Sequence, residues 1–268
     1  MIRITSTVKT LRDALKPVHA IDDECRLNIS PEGLSVKVVD PANVAMIILD
    51  LPKEVFHEGE YLVDETLQVG LDVDKYLSLF EGAEDNESAE ISIEQYEEKG
   101  AQKHRLILKI VDIFEQTLTL MKPDAVRRMV KIPSPTLRAQ AEVSKEFLKR
   151  CFDLAAKAGD YIIMTALTEL HELVPELPAR PTFTMEAGDD VRKFKAKLTT
   201  GVEITGGSPE VRLKSIFSLE YLCVMVEAIG DGEIITMHLD NDMPLKLDFK
   251  LLEHGQASFM VAPRIEDG

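Results

Sequence analysis

The sequence has few cysteines and no long apolar run, and each shortage excludes a class of protein. Cys25, Cys151 and Cys223 are an odd, scattered set, which argues against a disulfide framework and predicts reduced thiols. No apolar stretch approaches the roughly 18 residues that a membrane helix needs. Five charged side chains lie within the first twenty residues, so no secretory signal is predicted.

Basic residues are also in short supply. The chain carries 31 lysines and arginines against 47 aspartates and glutamates, a formal net charge of −16. An acidic surface repels phosphates, so a nucleic-acid partner is disfavoured unless the positive charge is gathered on one surface. With 45% hydrophobic and 29% charged residues, the composition is that of a folded globular protein. The 268 residues give room for one large domain or two of ordinary size.

The residues that are present form a pattern of short strands with a few helices between them. Apolar spacing predicts helices over 8–19, 71–81, 145–157 and 218–228. Alternating residues predict strands over 1–5, 25–30, 34–39, 44–51, 89–96, 103–110, 113–121 and 234–239. This order predicts an α+β fold with mostly antiparallel pairing.

The second half of the chain repeats the first. The apolar positions Val8, Leu11, Leu15 and Val18 recur with the same spacing as Leu148, Cys151, Ala155 and Ala158, which places Lys9 opposite Lys149. The segment 74–77 of the second predicted helix matches 219–222 of the fourth, and each of these two helices leads into an acidic turn and an alternating strand. Two matched helices in the same order predict an internal duplication. We assign 1–120 and 137–268 to two domains and the proline-containing segment 121–136 to an extended connector.

No catalytic constellation is recognisable. The six histidines show no metal-binding spacing, and the chain has neither a nucleophile elbow nor a phosphate-binding loop. We therefore expect no catalytic residues, no metal and no cofactor, and we predict that the protein is not an enzyme.

Positive charge is gathered on two of the predicted helices. Lys9, Arg12 and Lys16 share one face of the first helix, and Lys145, Lys149 and Arg150 lie on its counterpart. Such a face is either a solvated helix surface or a phosphate-binding surface, and both interpretations remain open. The other two helices do not continue the pattern, since one offers only Lys75 and the other carries Glu220 and Glu227.

Several blocks of sequence carry a resemblance to a known family. They are VVDPANV at 38–44, SKEF at 144–147, SIFSLEYL at 215–222, LDNDMPLKLDF at 239–249 and ASFMVAPRIE at 257–266. In this order, over almost the full chain, they resemble the DNA sliding clamps of the archaeal and eukaryotic type, the proliferating cell nuclear antigen family.

The resemblance implies both an architecture and a function. Each subunit would have two similar domains with outer antiparallel sheets and inner helices, and three identical subunits would close into a ring. Duplex DNA would pass through the ring without sequence specificity, and the ring would tether DNA polymerase and other replication and repair proteins, giving processivity. The setting would be the cytoplasm, at the nucleoid of a cell without a nucleus. The implied DNA-binding residues are Lys9, Arg12, Lys16, Lys75, Lys145, Lys149 and Arg150.

A groove for short partner peptides is implied between the connector and the C-terminal tail. Its expected partners are DNA polymerase, the clamp loader, flap endonuclease and ligase. Aliphatic and methionine side chains suit such a groove because they adapt to many related peptides. The matching positions are Val39, Asn43, Val44, Met46, Val130, Ile132, Pro244, Met260, Ala262 and Pro263. That these residues only form core beneath the connector is the alternative interpretation.

The resemblance also implies a subunit interface, in which 112–119 of one subunit pairs with 193–199 of the next. Its expected residues are Asp112, Phe114, Glu115, Thr117, Lys193, Phe194, Lys195 and Lys197. Apolar and lysine residues alternate over 193–198, so one face would pack while the other stays charged. The alternative interpretation is an edge strand protected from aggregation by its lysines.

Two features depart from the family pattern. Glu227 occupies a helix position that is basic in some relatives, and 167–180 replaces what is usually a tight hairpin turn. A specialised clamp relative, acting as one subunit of a heterotrimeric or checkpoint ring, is kept as the alternative function. A soluble enzyme with an unrecognised site is the remaining class.

Overall fold

The chain forms two compact units. The computed structural model describes residues 1–56, 59–111, 113–127, 136–169, 180–205 and 211–264. The first unit comprises Met1–Lys131 and Lys250–Ala257, and the second comprises Ile132–Phe249 and Ser258–Gly268. Asp112, Val130 and Ile132 of the predicted sites lie outside the described residues, as does 170–179 of the unusual segment. No helix in the described part is long and apolar enough to cross a membrane.

The first half of the chain contributes strands to two antiparallel sheets and forms a pair of helices. Its elements are β1 (Ile2–Thr7), α1 (Val8–His19), β2 (Glu24–Ser30), β3 (Gly33–Val39), β4 (Ala45–Pro52), β5 (Tyr61–Val63), β6 (Leu67–Asp72), α2 (Val73–Ser78), β7 (Ser88–Glu98), β8 (Ala101–Ile110) and β9 (Phe114–Leu120). The strands are ordered β5-β1-β7-β8-β9 in one sheet and β4-β3-β2-β6 in the other.

The second half has the same elements in the same order. They are β10 (Ala139–Ser144), α3 (Lys145–Ala155), β11 (Tyr161–Glu169), β12 (Arg180–Gly188), β13 (Lys193–Leu198), β14 (Val202–Ile204), β15 (Arg212–Ser218), α4 (Leu219–Glu227), β16 (Ile234–Leu239), β17 (Leu245–Leu251) and β18 (Gly255–Val261). Their orders are β14-β10-β16-β17-β18 and β13-β12-β11-β15, the counterparts of the two arrangements in the first half. The predicted α+β class and internal duplication are confirmed.

The predicted match between the first helices of the two halves is displaced by three residues. α1 begins directly after Thr7 and α3 directly after Ser144, and each hydroxyl accepts a hydrogen bond from the backbone N–H three residues on. Counted from these caps, Leu15 corresponds to Phe152, and both are fully buried. A shift of three residues brings an amphipathic helix back to within about 60° of its starting face, so apolar spacing alone does not fix the register.

The corrected register changes which charges are equivalent. Lys9 corresponds to Glu146, and Arg12 corresponds to Lys149. The predicted pairing of Lys9 with Lys149 is therefore wrong. The predicted match between α2 and α4 is likewise displaced, by one residue, because α2 begins at Val73 and α4 at Leu219.

The helix predicted over 71–81 is shorter in the structure. β6 continues through Asp72, whose carboxylate accepts a 2.9 Å hydrogen bond from the backbone N–H of Lys75 and so begins α2 at Val73. Tyr76 is buried and donates a 2.6 Å hydrogen bond to the carbonyl of Leu11, which attaches α2 to α1. This contact orients the helix pair of the first unit.

The long segment between the second unit's first hairpin strands leaves their pairing intact. β11 and β12 pair in register from Ile163 opposite Glu186 to Glu169 opposite Arg180. The strand boundaries that the sequence leaves open at 167–180 are therefore set by regular antiparallel pairing.

Asp248 on β17 collects three hydrogen bonds. Its carboxylate lies 3.0 Å from His238 Nε2 and 2.7 Å from Lys246 Nζ, and Ser258 donates its hydroxyl. Burial alone would raise the pKa of this carboxyl, but the three hydrogen bonds outweigh it and lower the pKa to about 2.

We expect Asp248→Asn to lower the free energy of unfolding by about 1–2 kcal/mol at neutral pH. Because the folded-state pKa lies below the usual value of about 3.9, this stabilisation is present above pH 4 and is lost as the pH falls toward 2. Urea unfolding at a series of pH values measures it, with Asp50→Asn on the exposed side of β4 as the control. A deficit that stays constant from pH 7 to pH 2 would contradict the linkage.

Candidate functional site

The predicted cations of α1 lie on its solvent side, and two of them are paired with acids. Lys9 is exposed and its ammonium contacts the Asp13 carboxylate. Arg12 is half-buried, with Nη1 2.7 Å from Asp85 Oδ1 and Nε 3.0 Å from Asp13 Oδ1. Lys16 is exposed and has no carboxylate within ion-pair distance among the described residues. α1 therefore offers one unpaired ammonium and two cations that must exchange partners to meet a phosphate.

Lys75 on α2 is also paired. Its ammonium lies 2.6 Å from Asp72 Oδ2, and this hydrogen bond raises the pKa of the lysine. Asp74 is its exposed neighbour, so α2 adds no net positive charge to the surface beside α1.

The predicted cations of the second unit differ in their exposure and in their ion-pair partners. Lys145 is buried, with 6% of its surface exposed, and its ammonium contacts the exposed carboxylate of Asp231. This burial contradicts the prediction that Lys145 belongs to an exposed DNA-binding surface. It follows from the corrected register, because Lys145 occupies the position of the core residue Val8.

Lys149 is held by two carboxylates. Its ammonium lies 2.8 Å from Glu227 Oε2 on α4 and 3.2 Å from Asp153 Oδ2 on α3, and these hydrogen bonds raise its pKa. Arg150 is exposed and has no ion-pair partner in the described part of the chain. α4 has no basic residue and exposes Glu220 and Glu227. In the described part of the chain, Arg150 is therefore the cation of the α3–α4 pair that no carboxylate neutralises.

The predicted interface strand β9 lies at the edge of its sheet and exposes both of its faces. Phe114, Glu115, Gln116 and Thr117 are all exposed, and Phe114 retains 61% of its accessible surface. Ile113, directly before the strand, retains 74%. An edge strand with exposed apolar residues is a template for pairing with another chain.

The predicted partner strand β13 lies at the edge of another sheet. Lys193, Lys195 and Lys197 are exposed, whereas Phe194, Ala196 and Leu198 are half-buried, so the predicted alternation is present. Lys195 pairs with Glu186 of the neighbouring strand at 2.6 Å. The lysines therefore stand on one face, and within the described residues the backbone of the strand remains open along its outer side.

In the first unit, the predicted groove residues surround a loop that Asp40 organises. Its carboxylate accepts hydrogen bonds from the backbone N–H groups of Ala42, Val44 and Ala45 at 2.7–3.1 Å. The loop places Val44 half-buried and Asn43 exposed with a φ of 58°. Val39 is half-buried as well, whereas Met46 is 4% exposed and belongs to the core.

Arg127 is a residue of this surface that sequence reasoning missed. Its guanidinium donates 3.1 Å hydrogen bonds to the carbonyl of Asp40 and to Asn43 Oδ1. Arg26 holds the neighbouring backbone by donating to the carbonyl of Val126 at 2.6 Å. The feature of the sequence that could have indicated Arg127 is the basic pair Arg127-Arg128 in a proline-containing connector.

The groove residues of the second unit lie in and around its last two strands: Pro244 directly precedes β17, Met260 lies in β18, and Ala262 and Pro263 follow β18. Met260 is 7% exposed, and Pro244, Ala262 and Pro263 are half-buried. Pro244, Ala262 and Pro263 are thus partly accessible to a ligand, while Met260 serves mainly as core.

No group of three His, Cys, Asp or Glu residues in the described part could hold a metal ion. Two of the three thiols are buried. Burial raises the pKa of Cys25 to about 12 and that of Cys151 to about 11, which keeps both thiols protonated.

Comparison with known proteins identifies the family. No family model matches the chain. A DNA polymerase sliding clamp of Methanosarcina acetivorans is 32% identical over 267 residues, and that of Methanosarcina barkeri is 30% identical, with 99% of each chain covered in both cases. Among solved structures, Archaeoglobus fulgidus PCNA bound to the C-terminal region of FEN-1 matches with a TM-score of 0.79, 27% identity and complete coverage of both chains. With this identity over nearly its whole length, and with a duplicated fold shared throughout, the chain belongs to the DNA polymerase sliding clamps.

Proposed function

We propose that three copies of this clamp close head to tail into a ring that encircles duplex DNA. The observation that carries the proposal is the pair of open edges, β9 in one unit and β13 in the other, of which β9 exposes Phe114. A head-to-tail contact between two different edges generates a ring when its rotation closes. Within such a ring the protein would bind and slide without performing a reaction itself, in the cytoplasm at the nucleoid.

The DNA-facing surface is proposed to be the helix layer, with α1 as its main contact. Lys16 has no carboxylate partner among the described residues, and Lys9 and Arg12 can exchange Asp13 and Asp85 for phosphates. The α3–α4 pair is proposed to contribute less, through Arg150 and, when released from its carboxylates, Lys149. Because phosphate contacts carry no sequence information, such a surface allows movement along any sequence.

Client proteins are proposed to bind the loop at Asp40 and the tail at Pro263 through short peptides. The solved relative carries the C-terminal region of FEN-1, which supports the proposal of a flap endonuclease as a client of the same kind. DNA polymerase, the clamp loader and ligase complete the proposed set. Half-buried Val39, Val44 and Ala262 provide apolar surface, and the proposal adds Val130 and Ile132 from the connector.

Ring closure predicts that Phe114→Glu will give a monomer, because a buried charge would replace an apolar contact at each of the three interfaces. Proline at Ala196 is expected to do the same from the other edge. Light scattering should report about three times the 30.0 kDa of the chain for the wild type. Leu62→Glu is the matched control, since Leu62 is an exposed leucine on β5, at the opposite edge of the same sheet.

A folded Phe114→Glu variant that stays trimeric would refute the β9 interface. A wild-type chain that is monomeric when pure, but trimeric with other subunits, would favour the mixed-ring alternative.

DNA retention is expected to depend on Lys16 and to increase when Glu227 is neutralised. Lys16→Ala should shorten retention on closed circular DNA and reduce the slope of log K against log salt by about 0.9 for each phosphate that the protein no longer neutralises. Glu227→Gln should lengthen retention, because it removes one of the two carboxylates that hold Lys149 and one negative charge from the surface. Lys37→Ala, which removes an exposed lysine from β3, is the control and should leave retention unchanged. Equal salt slopes for Lys16→Ala and Lys37→Ala would show that α1 does not face the DNA.

Peptide binding is expected to fall when apolar side chains of the proposed groove are shortened. Val44→Ala combined with Ile132→Ala should cost about 1–4 kcal/mol of binding to a FEN-1 C-terminal peptide, measured by calorimetry. Ile48→Ala, which shortens a half-buried aliphatic residue of β4, controls for loss of packing. Unchanged affinity in an intact trimer would place the peptide site elsewhere.

A further inference from the structure

The C-terminal tail is attached to the second unit after β18. Beyond Val261 it passes through Ala262 and Pro263, and the backbone N–H of Arg264 then donates a 2.7 Å hydrogen bond to the carbonyl of Ile216 on β15. Proline has no N–H, so Arg264 supplies the first backbone donor after Ala262. The tail is therefore fixed to the second unit at one defined residue.

The strand that receives this bond lies at the edge of its sheet. Alternate residues of β15, Lys214 and Ile216, direct their carbonyls away from β11. The carbonyl of Lys214 accepts from the N–H of Asp242 at 3.2 Å, and that of Ile216 accepts from Arg264. The turn at Asp242 and the tail thus cover consecutive positions of an edge that would otherwise be open.

The side chain of Arg264 makes a second attachment. Its guanidinium carbon lies 3.9 Å from the centroid of the Tyr161 ring, on the strand next to β15. Tyr161 begins β11 opposite Ser218 and is 41% exposed. A guanidinium stacked on an aromatic face at this distance is a favourable cation–π contact. Backbone and side chain of one residue therefore attach to two neighbouring strands.

We propose that Arg264 and Tyr161 form an anchor that holds Ala262 and Pro263 in the position in which a partner peptide binds them, an inference that rests on the peptide groove proposed above. Arg264 is a positioning residue in this role. Ordering a free tail costs conformational entropy for each residue fixed. A tail that is already attached spares the incoming peptide that cost, so the anchor contributes to affinity by preorganisation.

The anchor predicts a specific pattern of affinities for a FEN-1 C-terminal peptide measured by calorimetry on the full-length trimer. Arg264→Gln and Tyr161→Leu should each weaken binding about two- to fivefold, the range of an exposed cation–π contact. Tyr161→Phe keeps the aromatic face and should bind as the wild type does. The double variant should be no weaker than either single variant, since both remove the same contact.

Amide hydrogen exchange at residue 264 provides a readout independent of binding, and should be faster in Arg264→Gln and Tyr161→Leu but unchanged in Tyr161→Phe. Arg212→Gln removes the same charge from the start of β15 and is the control for electrostatic effects on the peptide. Wild-type affinity in both single variants would overturn the proposal, as would a Tyr161→Phe variant as weak as Tyr161→Leu. If the wild-type protein did not bind the peptide, the proposed groove itself would be refuted, and the proposed role of the anchor in peptide binding would be refuted too.

Discussion

The open edges of its sheets are the constraint on which this molecule depends. A strand at an edge presents backbone N–H and C=O groups that need partners, and each edge here meets that need differently. On β15 the turn at Asp242 and the tail at Arg264 cover the carbonyls. β9 and β13 lack such a cover in the described part of the chain, and they are the edges at which other copies of the chain are proposed to pair.

The second feature of the structure is the way in which charged side chains are distributed over its helices. The protein as a whole is strongly acidic, yet most of the cations on its helices are paired with carboxylates or buried. Lys9, Arg12, Lys75 and Lys149 each have a carboxylate within ion-pair distance, and Lys145 is buried. The two units share the order of their helices and strands, but their helix surfaces have diverged, since Lys9 of α1 corresponds to Glu146 of α3 and Val8 corresponds to Lys145.

The fold was predictable to the extent that it depends on local pattern. The hairpin of β2 and β3 and the extent of α1 follow from alternation, turn residues and helical spacing, and the structure agrees. The register of the duplication was not predictable in this way, because an apolar stripe on a helix matches itself after a shift of three residues. Ser144 and Thr7, as caps, were the residues that would have fixed it.

The site was less predictable than the fold. The sequence gives the positions of cations but not the distances to carboxylates far away in the chain, such as that between Lys149 and Glu227. Arg127 and Tyr161 were missed for the same reason, since each acts through a partner that is remote in sequence. Alternation over β13 was visible, whereas its edge position depends on the topology of the whole sheet.

The carboxylates beside the helix cations have a consequence for motion along DNA. A lysine that leaves one phosphate would otherwise stand unpaired until it reached the next, and that interval would be a barrier at every step. With Asp13 next to Lys9, and Glu227 next to Lys149, an ammonium leaving a phosphate on the proposed DNA-facing surface would be received at once by its own neighbour. The inner surface would therefore show low friction, because the energy of each cation changes little between one phosphate and the next.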